Sequence, residues 1–472
     1  MRTSLIDPQI QRAWRREFGD IGIWQSRVVI VAAAMLAGLS VVAFTWVTEL
    51  ALEAFFSLHA WNRLAPLVWM PAGAAAIVWL TRRFATGAAG SGIPQVMASL
   101  EAAVPAAQRG IFVSLRLSCA KFILTAAGLL FGLSLGREGP SVQIAAGVMH
   151  HARRWLPERA PVTPHGLLVA GGAAGIAAAF NTPLAGIMFA IEELSRKPEQ
   201  RSSGLLISAI VLAGLMAVSV YGNATYFGVI QSRPMSPDLL WPATVVALCS
   251  GVAGGLFSRL LAISLGGLGE DAASRLRRRS PIVFAALCGI VIAVIGLVTA
   301  GATYGSGYQH SRAMLAGATE PTGVFVLFKF IATWLTAWSG VPGGIFAPSL
   351  SIGGALGNDI ATLTGFSHAP TLIALGMVGF LAATTQAPLT SFIIVMEMVD
   401  GHGMVLTLMA CALVASGVSR IFGRPLYGTL AALQLSRLPQ IDAPSTRALD
   451  RPAEIDPSTA LTSEKQSDAG AI

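Results

Sequence analysis

The stretch Gly136-Arg137-Glu138-Gly139-Pro140 decides how the chain folds, because it places a carboxylate between two apolar runs, residues 122–135 and 141–149. A charged side chain at the centre of a bilayer costs about 2.5–3.5 kcal/mol on insertion scales. The flanking glycines and the proline predict that a membrane helix breaks here, since proline suits the first turn of a new helix. Glu138 would then lie at the positive N-terminal end of a half-helix, where anions bind. We therefore expect Glu138 to occupy an anion site as an internal competitor and to leave it when protonated.

The composition is that of a polytopic helical membrane protein. Of the 472 residues, 54% are hydrophobic and 12% are charged, whereas soluble domains carry about 25% charged residues. The 50 glycines favour close helix packing and interrupted helices. The net charge of +8 lies largely in short loops and tails, including residues 82–83, 153–154 and 275–279. By the positive-inside rule these segments are cytoplasmic candidates, so the charge indicates topology rather than a nucleic-acid partner.

Several other classes of protein find no support in the motifs. The four cysteines lie in apolar runs without a CxxC pattern, and the seven histidines form no HExxH motif. We therefore expect neither disulfides nor a metal, and no cofactor apart from a transported ion. No Gly-x-Gly-Asp motif supports an intramembrane hydrolase with paired carboxylates, which is kept as a remote alternative, and no nucleotide-binding P-loop supports an ATP-driven pump. The chain is not expected to be an enzyme.

The order of apolar runs predicts four regions. Residues 1–26 form a cytoplasmic N-terminal helix, 27–232 a first membrane repeat, 233–437 a second membrane repeat, and 438–472 a disordered tail rich in polar residues and proline. Glu49 and Glu53 are expected at the interface, near the end of the first span. The expected apolar segments are 28–50, 64–80, 111–135, 167–191 with a break at 181–183, 205–229, 239–268, 282–300, 324–338, a run that ends at 363, 369–396 and 404–422.

The two halves share motifs at nearly equal spacing. Gly-x-x-x-Pro-Ser recurs at positions 136 and 344, an offset of 208 residues. Pro-Leu followed by a glutamate nine residues after the proline recurs at positions 183 and 388, an offset of 205 residues. These matches predict an internal duplication, with chance similarity in a chain rich in glycine, alanine and proline as the alternative. Interrupted helices in corresponding places of two halves indicate a substrate site near the middle of the membrane.

Three further segments offer neutral donors to an anion. Gly90-Ser91-Gly92 precedes a helix expected to start near Pro94, and Ser91 supplies a hydroxyl. Residues 344–346 supply bare amides, and Tyr427 supplies a phenolic group. Partial charges of this kind suit a weakly hydrated monovalent anion, which full countercharges would trap. The alternatives are loop capping for Ser91, packing for Phe346, and an interfacial position for Tyr427.

A second proton station is expected near Glu192-Glu193, which ends an apolar run. Carboxylates buried in protein can carry protons. Glu192 repeats Glu397, so both of these residues are candidates for structural caps or pairs. Glu193 has no counterpart of its own type and is the better candidate for proton transfer.

Together these motifs resemble the CLC family of chloride channels and chloride/proton antiporters. They occur in the family's order and cover about residues 27–430. The segments that carry the resemblance are residues 90–94, 136–140, 177–186, 344–348 and the segment around Tyr427.

The resemblance implies an all-α polytopic membrane fold made of two inverted repeats with broken and re-entrant helices. It also implies a homodimer with a separate pore in each subunit. By resemblance, Ser91 and Tyr427 donate side-chain groups to a central chloride, and Ile345 and Phe346 donate backbone amides. The remaining implied positions are Glu138 as the external gating glutamate, Glu193 as the internal proton-transfer glutamate, Lys121 as a buried lysine near the pore, Gly90, Gly92 and Gly139 beside the pore, and Arg137 as a structural ion-pair partner.

The expected function is chloride/proton antiport across a bacterial inner membrane, with chloride, protons and the lipid bilayer as partners. A passive chloride channel on the same scaffold, gated by voltage or pH, is the alternative. Ser91 stands where nitrate-preferring members carry proline, which favours chloride. The Gly-Arg-Glu-Gly-Pro motif and Tyr427 also distinguish the chain from the fluoride-exporting branch. Too few residues follow Tyr427 for the C-terminal nucleotide-binding domains of many eukaryotic members.

Overall fold

Apolar runs punctuated by glycine and proline fold into a set of helices of very unequal length. The computed structural model describes residues 21–105, 108–158, 160, 162–195, 203–222, 225–230, 237–267, 269–317 and 323–438. Within these ranges there are eighteen α-helices and no β-strand, and all eighteen belong to a compact unit that ends at Leu435.

The helices of the first half are α1 (Ile21–Trp61), α2 (Pro66–Phe84), α3 (Ile93–Leu100), α4 (Leu115–Leu130), α5 (Glu138–His151), α6 (Pro164–Phe180), α7 (Pro183–Phe189) and α8 (Ser203–Tyr221). Those of the second half are α9 (Pro237–Gly266), α10 (Ala272–Arg279), α11 (Pro281–Val298), α12 (Tyr308–Leu315), α13 (Gly323–Ser339), α14 (Phe346–Thr364), α15 (Ala369–Thr385), α16 (Pro388–Met398), α17 (Val405–Ser419) and α18 (Leu426–Leu435). A π-helical turn, Ala190–Leu194, extends α7.

Six helical segments of the described chain are long and apolar enough to cross a membrane, judged by length and composition. They are Ile21–Trp61, Arg109–Leu130, Gly204–Tyr221, Pro237–Gly266, Pro281–Val298 and His402–Ser419. Five shorter apolar helices of 10–17 residues accompany them. The protein is therefore a multi-pass membrane protein that mixes full spans with short helices, as the glycine-rich sequence predicts.

The first span is longer than predicted. Helix α1 has 41 residues, which corresponds to about 62 Å, twice the hydrocarbon thickness of a bilayer. The predicted span of residues 28–50 was too short, because helical sequence continues on both sides of it. Glu49 and Glu53 consequently lie inside α1 and not near its end. The predicted N-terminal helix falls outside the described residues, except that its last residues, 21–26, lie at the start of α1.

Two apolar runs are interrupted at equivalent places in the two halves. Asn181 (φ 59°) separates α6 from α7, and Gln386 (φ 60°) separates α15 from α16. The predicted break at 181–183 is confirmed, whereas the prediction of one unbroken run over 369–396 was wrong. A left-handed residue followed closely by Pro388 cannot continue a helix. The side-chain amides of Asn181 and Gln386 donate to the carbonyls of Gly222 and Gly423, at 3.1 Å and 2.9 Å.

Glycines let the helices of each half approach closely around the site. A Cβ built on Gly353 of α14 would lie 2.2 Å from the carbonyl oxygen of Gly376 in α15. In the first half, a Cβ on Gly175 of α6 would lie 2.6 Å from the carbonyl oxygen of Ser141 in α5. Any larger residue would push these backbones apart, so the glycine content has the packing role that the composition predicts.

The predicted run over 111–135 ends early. Helix α4 stops at Leu130, and Gly132 turns the chain with a φ of 76°. A Cβ at Gly132 would lie 2.3 Å from the ring of Phe55 in α1. The chain therefore leaves the helix at this point and continues to Gly136, two residues before α5. The tail after residue 438, which was predicted to be disordered, lies outside the described residues.

Candidate anion and proton site

Three helix starts meet in the interior of the protein. Gly136 and Gly344 exchange two backbone hydrogen bonds, each of 2.7 Å, in an antiparallel bridge just before α5 and α14. The amide of Gly343 donates to the carbonyl of Gly90 at 3.1 Å, which ties in the loop before α3. The antiparallel pairing of equivalent residues is what two inverted halves produce. Because the first amides of each helix lack intrahelical partners, the meeting point is rich in positive partial charge.

Glu138 occupies the meeting point itself. It begins α5, is 0% exposed, and its Oε2 accepts a hydrogen bond of 3.3 Å from the amide of Ala347 in the first turn of α14. Its Oε1 has no hydrogen-bond partner. A Cβ on Gly136 would lie 2.4 Å from Oε2, so the carboxylate fits only because this residue is glycine. The side chain thus lies in the position that the sequence predicts for an anion competitor.

Two buried hydroxyl groups without partners face the same region. Ser91 lies just before α3, and Tyr427 lies in the first turn of α18 with 1% exposure. The two hydroxyls are near each other, yet neither has a hydrogen-bond partner within 3.5 Å. Leaving buried polar groups unpaired costs about 1–3 kcal/mol each, and such groups are typical of a site that receives a ligand.

Small residues and an aromatic ring hold these hydroxyls in place. A Cβ on Gly139 would lie 2.3 Å from the Ser91 Oγ, and one on Gly92 would lie 2.5 Å from the Gly139 carbonyl oxygen. The Tyr427 ring stacks on that of Phe346, with 6.0 Å between ring centroids and 10° between ring planes. The Phe346 side chain therefore packs against the Tyr427 ring, which is the packing role that the sequence analysis gave as the alternative for this residue. Packing does not preclude a backbone contribution, since its amide lies at the N-terminus of α14.

Ile345 and Phe346 place their backbone where the sequence predicts. Ile345 is the residue that precedes α14, and Phe346 is the first residue of the helix. They are 6% and 2% exposed. Their amides belong to the group at a helix start that cannot bond within the helix. The site therefore gathers amides from α14, the Ser91 hydroxyl and the Tyr427 hydroxyl around Glu138.

Lys121 is fully buried and fixes the loop that carries Ser91. Its Nζ donates to the carbonyl oxygens of Ala88 and Gly90, at 2.7 Å and 2.5 Å. Among the described residues it forms no salt bridge with a carboxylate. The two hydrogen bonds of the Lys121 side chain therefore hold the backbone of this loop in place.

The second half repeats this arrangement, which the sequence analysis missed. Lys329 lies 208 residues after Lys121 and donates to the carbonyls of Thr303 and Gly305, at 2.9 Å and 2.7 Å. The loop it holds contains Gly305-Ser306-Gly307, a copy of Gly90-Ser91-Gly92. Comparing the two Gly-Ser-Gly stretches with the two lysines would have revealed the repeat.

Arg137 pairs with Glu49 of α1 at 2.8 Å, as the structural interpretation predicts. It also donates to the Tyr226 hydroxyl at 3.3 Å, and its guanidinium lies 5.8 Å from the Tyr226 ring centroid. Tyr226 was not predicted, because it lies in a loop between α8 and α9 with no recognisable motif. That loop is fixed by backbone bonds from Phe227 to Met398, at 2.9 Å, and from Ile230 to Val399, at 3.1 Å.

The adjacent glutamates at the end of α7 do different things. Glu192 accepts hydrogen bonds from the amides of Leu389 (3.0 Å) and Thr390 (2.6 Å), so it caps α16. Glu397 in turn accepts a bond of 2.8 Å from the amide of Ala185, so it caps α7. The repeated glutamates therefore act as reciprocal caps between the halves, one of the two roles that the sequence offered.

Glu193 lies near the candidate anion site, within electrostatic reach of Tyr427. It lies half-buried on the π-helical turn, and its charge acts on the Tyr427 hydroxyl, as does the charge of Glu138. Tyr427 thus lies within electrostatic reach of both glutamates that the sequence selected. Among the described residues, no group of three or more His, Cys, Asp or Glu is arranged to hold a metal ion.

A cavity of about 580 Å³ reaches Glu138 from the side that holds the second half of α1. Arg137, Glu138, Tyr226 and Ser306 lie on its wall, together with Glu49 and Glu53 of α1. By the positive-inside rule the basic loops lie on the opposite side of the membrane, so this cavity opens outward. Glu138 therefore lines a cavity on the side of the protein opposite the basic loops.

Helix starts and neutral donors around a buried carboxylate, inside a multi-pass helical protein, are the arrangement expected of a membrane transport protein. The chain belongs to the voltage-gated chloride channel family, whose model matches residues 73–420. This is the CLC family that the sequence motifs resemble.

Known relatives extend over most of the chain. It is 32% identical over 434 residues to an H(+)/Cl(-) exchange transporter ClcA of Klebsiella pneumoniae (strain 342), covering 87% of this chain and 89% of the relative. A protein of the same name from Citrobacter koseri is 31% identical, covering 91% of this chain and 92% of the relative. A crystal structure of a slow cyanobacterial Cl-/H+ antiporter matches with a TM-score of 0.75 and 25% identity, over 88% of this chain and 98% of the other.

Proposed function

We propose that the protein exchanges chloride for protons across the membrane. The observation that carries this proposal is the position of Glu138, whose carboxylate accepts from the α14 amide of Ala347 while the hydroxyls of Ser91 and Tyr427 have no partner. The curated relatives named above are H(+)/Cl(-) exchange transporters by name, which supports the same function.

In the proposed mechanism, chloride binds to the Ser91 and Tyr427 hydroxyls and to the Ile345 and Phe346 amides. Glu138 alternates between two states. Ionised, it takes the anion position at the start of α14. Protonated, it loses its attraction for the helix N-terminus and gives way to chloride, since a helix start favours negative charge. The proton it carries can then leave through the outer cavity.

Protons reach Glu138 from the cytoplasmic side through Glu193. The charges of both glutamates act on the Tyr427 hydroxyl, which makes Tyr427 the element that they share. Lys121 contributes by fixing Gly90 beside Ser91. Arg137 contributes by holding the start of α5 against Glu49 of α1, and it does not bind the permeant anion.

The test is proton movement in proteoliposomes driven only by a chloride gradient, with no membrane potential at the start. An exchanger takes up protons against their own gradient as chloride leaves. Chloride movement without uphill proton movement would contradict the proposal and favour the passive channel. A measurement of reversal potential in a pH gradient gives the same distinction, since a channel's reversal potential ignores pH.

We further propose that the protein is a homodimer in a bacterial inner membrane. Large apolar side chains are exposed on adjoining helices of both halves: Leu184 (44%), Ile207 (44%), Leu215 (46%), Leu406 (67%) and Leu413 (50%). The resemblance to the CLC family supports the dimer, and the bacterial relatives support the location in a bacterial inner membrane. Light scattering of the purified protein, with the detergent contribution subtracted, tests the dimer: a mass of one chain would contradict it.

A further inference from the structure

A second cavity, of about 420 Å³, lies at the opposite end of α5 from Glu138. It is lined by the end of α5, the segment after it and the loop before α4. The 14 residues of α5 place it about 20 Å from Glu138. Gln25 at the start of α1 donates to the carbonyl of Trp155 at 3.3 Å, so this end of α5 lies beside the start of α1. The positive-inside rule assigns that side to the cytoplasm.

The described ionisable side chains on the cavity wall are two histidines and two arginines. They are His150, His151, Arg153 and Arg154, and no acidic residue is among the described residues that line the cavity. The charge of Arg109, next to the lining residue Gly110, also acts on the His150 ring. In the part of the chain that the structure describes, the ion pairs are Arg137–Glu49 and His402–Asp400. None of these arginines therefore has a carboxylate within 4.0 Å there.

Two buried side-chain nitrogen atoms at or beside the cavity have no hydrogen-bond partner. The Nδ1 of His150 and the Nε of Arg109 are both buried without a hydrogen bond. Helix α4, which has 16 residues, begins at the cavity with Ser114 and Leu115 on the wall. The Ser114 side chain accepts from the amide of Leu117 at 3.4 Å, while the earlier amides of a helix have no intrahelical acceptor.

A purely structural explanation covers part of these observations. Basic residues after a helix stabilise its negative C-terminal end, and basic loops orient a membrane protein. Both roles require positive charge only. Neither requires an open cavity, an acid-free wall, or buried nitrogen atoms without acceptors next to the start of another helix.

We propose that this cavity binds a phosphate group on the cytoplasmic side of the membrane. Arginine matches phosphate oxygens with paired donors, and a helix N-terminus adds amides and a favourable dipole. Basic pockets between membrane helices on the cytoplasmic side also bind the headgroups of anionic lipids. Two sources supply the same chemistry: the headgroup of an anionic phospholipid, and a soluble phosphate.

The experiment compares two pairs of adjacent arginines. The test variant is Arg153→Gln/Arg154→Gln, and the control is Arg82→Gln/Arg83→Gln, a second exposed pair on the same side that does not line the cavity. Each full-length protein is reconstituted into nanodiscs of phosphatidylcholine with phosphatidylglycerol. The protein is then released from the nanodiscs, and the lipid that stays bound to it is counted by native mass spectrometry. In a second arm, delipidated protein is titrated with inorganic phosphate, with binding followed by calorimetry. Gel filtration and chloride flux establish that each variant is folded.

Selective loss in the cavity variant supports the proposal. Retention of phosphatidylglycerol by the wild type and the control, but at least about fivefold less by the cavity variant, identifies a lipid headgroup. Saturable phosphate binding that the cavity variant weakens about tenfold or more identifies a soluble phosphate. Equal behaviour of the two variants in both arms, or no binding by the wild type in either, would overturn the proposal and leave the arginines with a topological role.

Discussion

The two halves of the molecule agree where they build the scaffold and differ where they build the site. Lys121 and Lys329 each hold two carbonyls of a Gly-Ser-Gly loop. Glu192 of the first half caps α16 of the second half, and Glu397 of the second half caps α7 of the first half. These positions carry the same residue type in both halves, because in each half the backbone groups left free at an interrupted helix must be hydrogen-bonded inside the protein.

The positions that we assign to transport break this agreement. Glu138 corresponds to Phe346 at the offset of 208 residues, and Glu193 corresponds to Met398 at the offset of 205. Each carboxylate thus has an apolar counterpart. A symmetric pair of carboxylates at the meeting point would repel each other in a poorly screened interior. One carboxylate and one aromatic ring allow a single exchangeable negative charge at the meeting point. The proposed transport site therefore depends on a difference between the halves.

The largest effect is expected from Glu138→Gln. Glutamine is nearly the same size but carries neither charge nor transferable proton, so chloride-driven proton uptake should fall to background, while chloride still crosses. The measurement is proton uptake and chloride efflux in the same proteoliposomes. Glu53→Gln is the matched control, since Glu53 is exposed and lines the same outer cavity. Uphill proton uptake by the Glu138 variant would refute the proposed mechanism.

The next prediction compares two adjacent residues: Glu193, which we assign to proton transfer, and Glu192, which caps α16. Glu193→Gln should lower proton transport about tenfold or more, as expected for a broken proton relay, and leave chloride flux. Glu192→Gln should keep the coupling but lower stability by about 1–3 kcal/mol, because it weakens charged bonds to two amides at the start of α16. Proton flux and the midpoint of thermal unfolding are measured for both. If Glu192→Gln uncouples the protein and Glu193→Gln does not, the assignments must be exchanged.

The paired lysines offer a smaller effect that separates scaffold from site. Lys121→Met and Lys329→Met each remove two bonds to carbonyls, so each should destabilise the protein by about 1–3 kcal/mol. Only Lys121 anchors the loop that carries Ser91. Chloride affinity, measured by calorimetry, should therefore fall severalfold in the Lys121 variant and stay near the wild-type value in the Lys329 variant. Equal losses of affinity would show that both loops shape the site.

Much of the site could be predicted because helix breaks leave a local signature. Gly-Arg-Glu-Gly-Pro and the residues around Phe346 indicated the starts of α5 and α14, whereas the role of Glu193 stays a prediction. The break at Gln386 was missed because the long apolar stretches on both sides of it indicate one continuous run, although Pro388 and the match of Gln386 with Asn181 were available. A structural pairing of Arg137 was expected, but Tyr226 and the identity of Glu49 as the partner were beyond reach, since long-range contacts between a loop and a helix leave no periodic trace in the sequence.

The smallest effect is expected at the outer edge of the site, where Tyr226 contacts Arg137. Tyr226→Phe removes a hydrogen bond of 3.3 Å but leaves the ring and the stronger ion pair of Arg137 with Glu49. The loss of this neutral acceptor, which accepts only a long bond, changes a free energy by about 0.5–1.5 kcal/mol, so chloride turnover should change a few-fold and the proton-to-chloride ratio should not. Tyr308→Phe is the control, because it removes a bond of 2.9 Å to the Tyr226 carbonyl without touching Arg137. A changed ratio in Tyr226→Phe alone would place this loop within the gate, and the asymmetry between the halves would then extend beyond the two carboxylates.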